Sequence, residues 1–394
     1  MVALAALAVV TTGAHAAVSL STAAASSLPG LTRPAAPAPT APAAASGPAA
    51  FGRQALNFLA GRAADPDPDV RIAVAADWGD IGNAAPKVLE LLMKAGKDRD
   101  DFVRIEAGYS LFRLGDEGGR RILMDLVRSS ATAKGALTPA QEMKLFSHTK
   151  ARAQALVKLS DMANEDVVAL MEQTLTDGSA AIRDATAVAL CRLDLAQEPP
   201  VAPYLKAFLD AAKDKDDTVR VAAVKALGQT NLASVRETLV AAAGDPSAAV
   251  RAEAMAALAA SADETLAQLF IDHLKDENLR VRYQAVGGLA RIAQEPSALA
   301  TLRKLAADDK APDLALRAMT GLAAQGEKVD LDLAQRQLRA NDVDGRMLAL
   351  EVVAGAPGDA APGLLAQVMA ADASMRVRVA AAAMLVKRLQ RKGT

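Results

Sequence analysis

The chain has 394 residues, 52% of them hydrophobic, largely Ala and Leu, and only 3% aromatic. That balance suits thin layers of helices rather than one thick globular core. With 45 basic and 46 acidic residues the net charge is −1, which excludes the broad positive field of a protein that grips phosphate backbones. In chain order, residues 1–32 contain no Asp, Glu, Lys or Arg. VALAALAVV at 2–10 is a short apolar run, and Ala14-His15-Ala16 places a small-x-small cleavage pattern before Ala17. A secretory signal peptide over 1–16 follows, although its basic n-region is missing; the run is too short to span a bilayer. Residues 17–50 are mostly Ala, Pro, Ser and Thr, a disordered linker that cannot bury a core. The mature chain is thus expected to be periplasmic or secreted. The single cysteine, Cys191, excludes an internal disulfide.

From 51 to 394 one pattern recurs. DKDDTVRVAAVKALG from Asp214 returns as DPSAAVRAEAMAALA from Asp245 and as DENLRVRYQAVGGLA from Asp276. Aligned on its arginine, the copies fall at Arg71, Arg104, Arg183, Arg220, Arg251, Arg282, Arg346 and Arg378, with a decayed copy centred on Ala315. Apart from the step from 104 to 183, neighbours lie 31 to 37 residues apart, a period that means a solenoid. The Asp six residues before the arginine suits a turn and a helix N-cap. Ala three residues after it and a large apolar residue at seven share one helical stripe.

Between copies runs a second apolar-periodic segment, such as Leu266, Leu269, Phe270 and Leu274, so each unit is a helix–turn–helix. With Asp245-Pro246 and Val219-Arg220…Ala226-Leu227-Gly228 in place, the chain resembles the HEAT family, in its short form shared with phycobilisome lyases. The resemblance implies an all-α fold, a right-handed α-α superhelix of about ten helix-pair repeats, that binds protein or peptide. Tetratricopeptide and ankyrin signatures are absent.

Some stretches depart from the pattern. After RRILMDLV the 11 residues RSSATAKGALT, 128–138, have loop composition, and Thr138-Pro139-Ala140-Gln141 reads as a helix start. That helix runs to about Leu159 and is a degenerate repeat with Thr149 at the arginine position. Pro199-Pro200 marks a connection. At the end, Lys387, Arg388, Arg391 and Lys392 suit the last turn of a capping helix, where cations meet free carbonyls.

Chemistry is sparse. His15, His148 and His273 are the only histidines and none precedes Glu, which excludes the His-Glu di-iron sites of HEAT-like deoxyhypusine hydroxylases. Residues two, five and nine after the arginine face the concave side and are small and of mixed sign, unlike the basic, aromatic groove of HEAT-like DNA glycosylases. His273 reads as a surface residue, Cys191 as core and Trp78 as packing. The recurrent arginines form a structural ladder between turns. The candidate binding face is Lys225, Glu253, Gln284 and Arg291. The expected function is an exported, monomeric protein-binding scaffold without cofactor, metal, catalysis or nucleic acid. A lyase-like enzyme acting on a chromophore-bearing protein and a structural envelope spacer are the alternatives.

Overall fold

The computed structural model describes residues 48–82, 87–129, 137–193, 201–230, 232–308 and 310–391. The expected signal peptide, the linker up to residue 47, residues 130–136 of the loop, Pro199-Pro200 and Lys392 lie outside them. Among the described residues there are twenty α-helices and no strand. They alternate between an outer and an inner layer. Outer α1 (Pro48–Arg62) precedes inner α2 (Pro68–Ile81), α3 (Val88–Ala95) precedes α4 (Asp101–Arg113), and α5 (Gly118–Arg128) precedes α6 (Pro139–Leu159). Next come α7 (Glu165–Thr174) and α8 (Ala180–Cys191), α9 (Ala202–Ala211) and α10 (Asp217–Thr230), and α11 (Arg236–Ala242) and α12 (Ala248–Ala260). The last pairs are α13 (Ala267–His273) with α14 (Leu279–Arg291), α15 (Pro296–Ala306) with α16 (Pro312–Ala324), α17 (Asp332–Gln337) with α18 (Val343–Gly355), and α19 (Ala360–Ala371) with α20 (Met375–Arg391). This is the right-handed α-α solenoid that the repeat demands.

The turns explain the helix starts. Asp100 caps α4 by accepting from the amides of Phe102 and Val103 at 2.9 and 3.2 Å. Thr138 and Gln141 form a capping box with Pro139 at the first position of α6, as their order predicts. Small residues let the inner helices approach. A Cβ at Gly228 of α10 would stand 2.5 Å from Ala257 Cβ of α12, and one at Gly321 of α16 would stand 2.7 Å from Ala290 Cβ of α14.

Each inner helix packs on the next, and α20 packs on α2 while α1 lies against α20. The solenoid therefore closes into a ring. Its two ends share a core: one apolar cluster joins residues 55–111 to 316–386, and the other spans 105–322. Ala55 and Leu59 of α1 are fully buried, and burying a leucine is worth about 1.5–3 kcal/mol. Polar bonds cross the same joint. Lys387 of α20 meets Asp80 at 2.7 Å and Asp77 at 3.4 Å, and Gln390 donates to the Ile81 carbonyl at 3.0 Å. Of the C-terminal cations expected to cap the last helix, Lys387 serves this closure instead, and Arg388 meets the carbonyls of Ala354 and Gly358 at 2.7 Å each in the neighbouring unit; the Arg391 side chain and Lys392 lie outside the described residues. Ten inner helices about 9 Å apart enclose a lumen roughly 20 Å wide once helix bodies of about 10 Å are subtracted.

Candidate functional site

The turn edge carries the arginine ladder. Arg251 gives two parallel bonds to Asp276 of the next unit, at 2.7 and 2.9 Å. Its third nitrogen bonds the Asp245 and Pro246 carbonyls of its own turn, at 2.9 and 3.0 Å. Asp276 also accepts the Asn278 amide at 2.8 Å, so one carboxylate shapes its own turn and receives the previous unit's arginine. Arg71 to Asp98, Arg220 to Asp245 and Arg346 to Asp372 repeat this fork. The Arg251 guanidinium, outweighing burial, holds the Asp276 carboxyl below its ordinary value.

Four ladder positions behave differently. Arg104, Arg183 and Arg282 hold the carbonyls of Asp98, Asp177 and Asp276 in their own turns; Asp309, the turn aspartate that follows Arg282 in the sequence, lies outside the described residues. Arg378 bonds the Met369 carbonyl at 2.8 Å and stacks over Phe58 of α1, 5.0 Å from the ring centre. The degenerate repeat needs a correction, because its rung is Arg152 and not Thr149. Arg152 reaches Asp177 at 2.9 Å, and in place of a turn carbonyl it takes that of Val127 in α5. Ala155 and Leu159 stand three and seven residues beyond Arg152, a signal that was available in the sequence.

The inner face carries both signs of charge, joined from helix to helix. Glu253 on α12 pairs with Arg280 on α14 at 2.6 Å. Lys225 on α10 is half-buried, and burial pushes its ammonium below the ordinary value; Glu253 opposes this, while Arg280 and Lys150 reinforce it. Lys158 meets Glu106 at 3.1 Å and lies 4.1 Å over the Tyr109 ring. The Tyr109 hydroxyl donates to Asp161 at 3.0 Å, and Asp161 in turn pairs with Arg192 at 2.6 Å. Arg317 stacks 5.4 Å over Tyr283 and faces Glu351 at 3.8 Å. Of the four expected face residues, Lys225 and Glu253 therefore share one charged group with Arg280 and Lys150, which the sequence reading missed. Gln284 is half-buried on α14, and exposed Arg291 ends that helix, roughly 16 Å along it from Arg280.

The HEAT-repeat family model matches residues 44–137, 205–278 and 236–323, together more than half of the chain. The chain belongs to the HEAT-repeat family. No curated protein matches it in sequence. Among solved structures, the complex of CpcE and CpcF of phycocyanin lyase from Nostoc sp. PCC7120 is 19% identical, covering 68% of this chain and 96% of that one, with a TM-score of 0.36. Human deoxyhypusine hydroxylase in complex with glycerol is 19% identical over 70% of this chain and 96% of its own, with a TM-score of 0.31. A chain of the Kap95p–RanGDP complex is 16% identical over 86% of this chain and 51% of its own, with a TM-score of 0.32.

Elsewhere in the HEAT ring, histidines serve as struts. His148 on α6 meets Asp101 of α4 at 2.7 Å and Ser129 Oγ at 3.2 Å, an order that resembles a nucleophilic triad. Ser129 Oγ, however, donates to the Leu126 carbonyl at 2.5 Å, and the Ser129 amide is engaged by Asp125 and Leu126, so neither is turned toward a substrate. His273 is not a free surface residue: its ring nitrogens face the Leu269 and Ala243 carbonyls at 2.8 and 2.9 Å, tying α13 to the end of α11. Cys191 is fully buried, and burial pushes its thiol up to about 11. Trp78 is packed in the shared core of the two chain ends. Among the described residues no three His, Cys, Asp or Glu side chains gather as metal ligands, and no helix is long and apolar enough to cross a membrane. On the outer side, six-residue α17 leaves a cleft of about 530 Å³ floored by Ala306, Met319 and Leu322, where Arg303 bridges to Glu327.

Proposed function

We propose that this HEAT ring is an exported, monomeric, non-enzymatic scaffold whose inner face holds a polypeptide of mixed charge. The observation that carries the reading is the inner face itself, where Lys225, Glu253, Arg280, Arg317 and Glu351 bring both signs of charge onto successive helices among small residues such as Ala256. Small side chains leave room for an inserted chain and lose little entropy on binding. Paired charges of both signs offer exchange partners to a peptide bearing both, and repel a uniform polyanion where Glu253 and Glu351 stand. Export is inferred from VALAALAVV and Ala14-His15-Ala16. The test is a titration of the purified ring against a randomised mixed-charge peptide library and against duplex DNA, at 50 and 200 mM salt. Selected peptides should lose less than about tenfold affinity between the two salts and should fail to bind a Lys225→Glu, Arg291→Glu double variant. DNA binding that falls by about 10³ or more over that range, or peptide binding unchanged in the double variant, overturns the reading.

A further inference from the structure

The joint between α20 and the α1–α2 hairpin differs from other joints of the ring. No peptide chain crosses it, and it lacks a rung. Going round the ring, the carboxylate after Arg378 is Asp65, but Asp65 is taken by Arg62 at 3.1 Å and by the Asp67 amide, while Arg378 rests on Phe58. In place of the fork stands a four-membered charge cluster. Lys387 of α20 bonds both Asp77 and Asp80 of α2, and Arg113 of α4 holds Asp80 at 2.6 Å. Neutral Gln390 of α20 bonds the Ile81 carbonyl alongside, and the last cation of α1, Arg62, is engaged with Asp65.

We propose that this joint is a clasp, in which α1–α2 swing away from α20 and return, giving lateral access to the lumen, with the charge on Asp77 setting which state is held. The inference concerns how the inner face is reached, and it stands apart from the identity of any partner.

Asp77 and Asp80 differ in a way that fits this role. Burial pushes Asp80 up, but Lys387 and Arg113 outweigh it and keep that carboxyl below its ordinary value. Asp77 is buried more deeply than it is compensated. Burial, with some repulsion from Asp80, lifts it to about 7 against the pull of Lys387. In an open clasp Asp77 stands in water and titrates near 3.8. Closing therefore takes up a proton between about pH 4 and pH 7. The sign follows: a carboxyl raised in the closed form favours closure at low pH, and the closing constant falls by up to about tenfold per pH unit across that window. Above pH 7 the effect levels off.

The test uses the full chain with Cys191→Ala and spin labels at Gln54→Cys on α1 and Gln367→Cys on α19, both exposed and on opposite sides of the joint. Electron–electron distance measurement should give one short separation at pH 5 and a second, longer one that grows by pH 8.5. Asp77→Asn, near-isosteric and neutral, should keep the short separation at both. Amide exchange in α1 and α20 of the unlabelled protein, corrected for intrinsic pH dependence, should lose protection at pH 8.5 in the wild type alone. Identical distances and protection at both pH values would refute the clasp. A longer population that persists in Asp77→Asn would overturn the role of Asp77.

Discussion

Arg251 shows what one side chain does in this fold. Its guanidinium closes its own turn through two carbonyls and the next turn through Asp276, with only 12% of the side chain exposed and 9% of that of Asp276. Removing one partner from such a pair leaves the other charge under-compensated, so Arg251→Ala is expected to cost about 3 kcal/mol or more. Arg303→Ala, which breaks the Glu327 pair at an arginine 55% exposed, should cost about 1 kcal/mol or less. Denaturant midpoints of the two variants decide it, and equal small losses would remove the ladder as a stabilising device. Recurrence made this ladder legible, because a residue that returns in every unit answers to the unit. Arg152 escaped because its helix runs on upstream: Phe146 stands where the turn aspartate belongs, and the cap lies far back at Thr138.

At the scale of the helix, close contacts between layers decide more than propensity does. The outer helix α5 lies so close to α4 that a Cβ on Gly119 would stand 2.2 Å from the Gly108 carbonyl and 2.6 Å from the Phe112 amide. Backbone cannot move aside as a flexible side chain can. Gly119→Ala should therefore destabilise the fold by about 1–3 kcal/mol or more, while Gly61→Ala, with no atom within 4 Å, should be neutral or slightly stabilising as a better helix former. Thermal melts of the pair check the contrast. Helix pairs and their starts were readable from the i, i+3, i+4 pattern and from Asp, Pro and Thr at the turns. The Lys225–Glu253–Arg280 group was only half readable. Offsets from the arginine place +2 and +5 on the inner face, but Arg280 precedes its arginine and reaches Glu253 across a helix boundary.

For the whole molecule, ring closure is the feature that local pattern does not carry. A repeat reports its contacts with the next repeat, whereas closure is the sum of ten small rotations of about 36° each. Its chemical trace in the sequence, Lys387 against Asp77 and Asp80, lies in residues outside the repeat consensus. A closed ring should tolerate being cut elsewhere. Joining residue 391 to residue 48 by a short linker and opening the exposed turn at Ser261-Ala262 should preserve helicity and the melting midpoint, as measured by circular dichroism; an unfolded permutant would argue for an open solenoid. The same joint also orders events in time. Its bonds connect residues 307 to 310 positions apart, whereas the forked rungs of the other joints span 25 to 27. At a synthesis rate of about 5–20 residues per second, roughly 15–60 s separate the emergence of α2 from that of α20. Neighbouring units can fold as they appear, but Leu59 and Trp78 have no finished core until α20 leaves the ribosome. Within the ring the helix pair made first is the one completed last, and for that interval its apolar face is the surface a chaperone would have to cover.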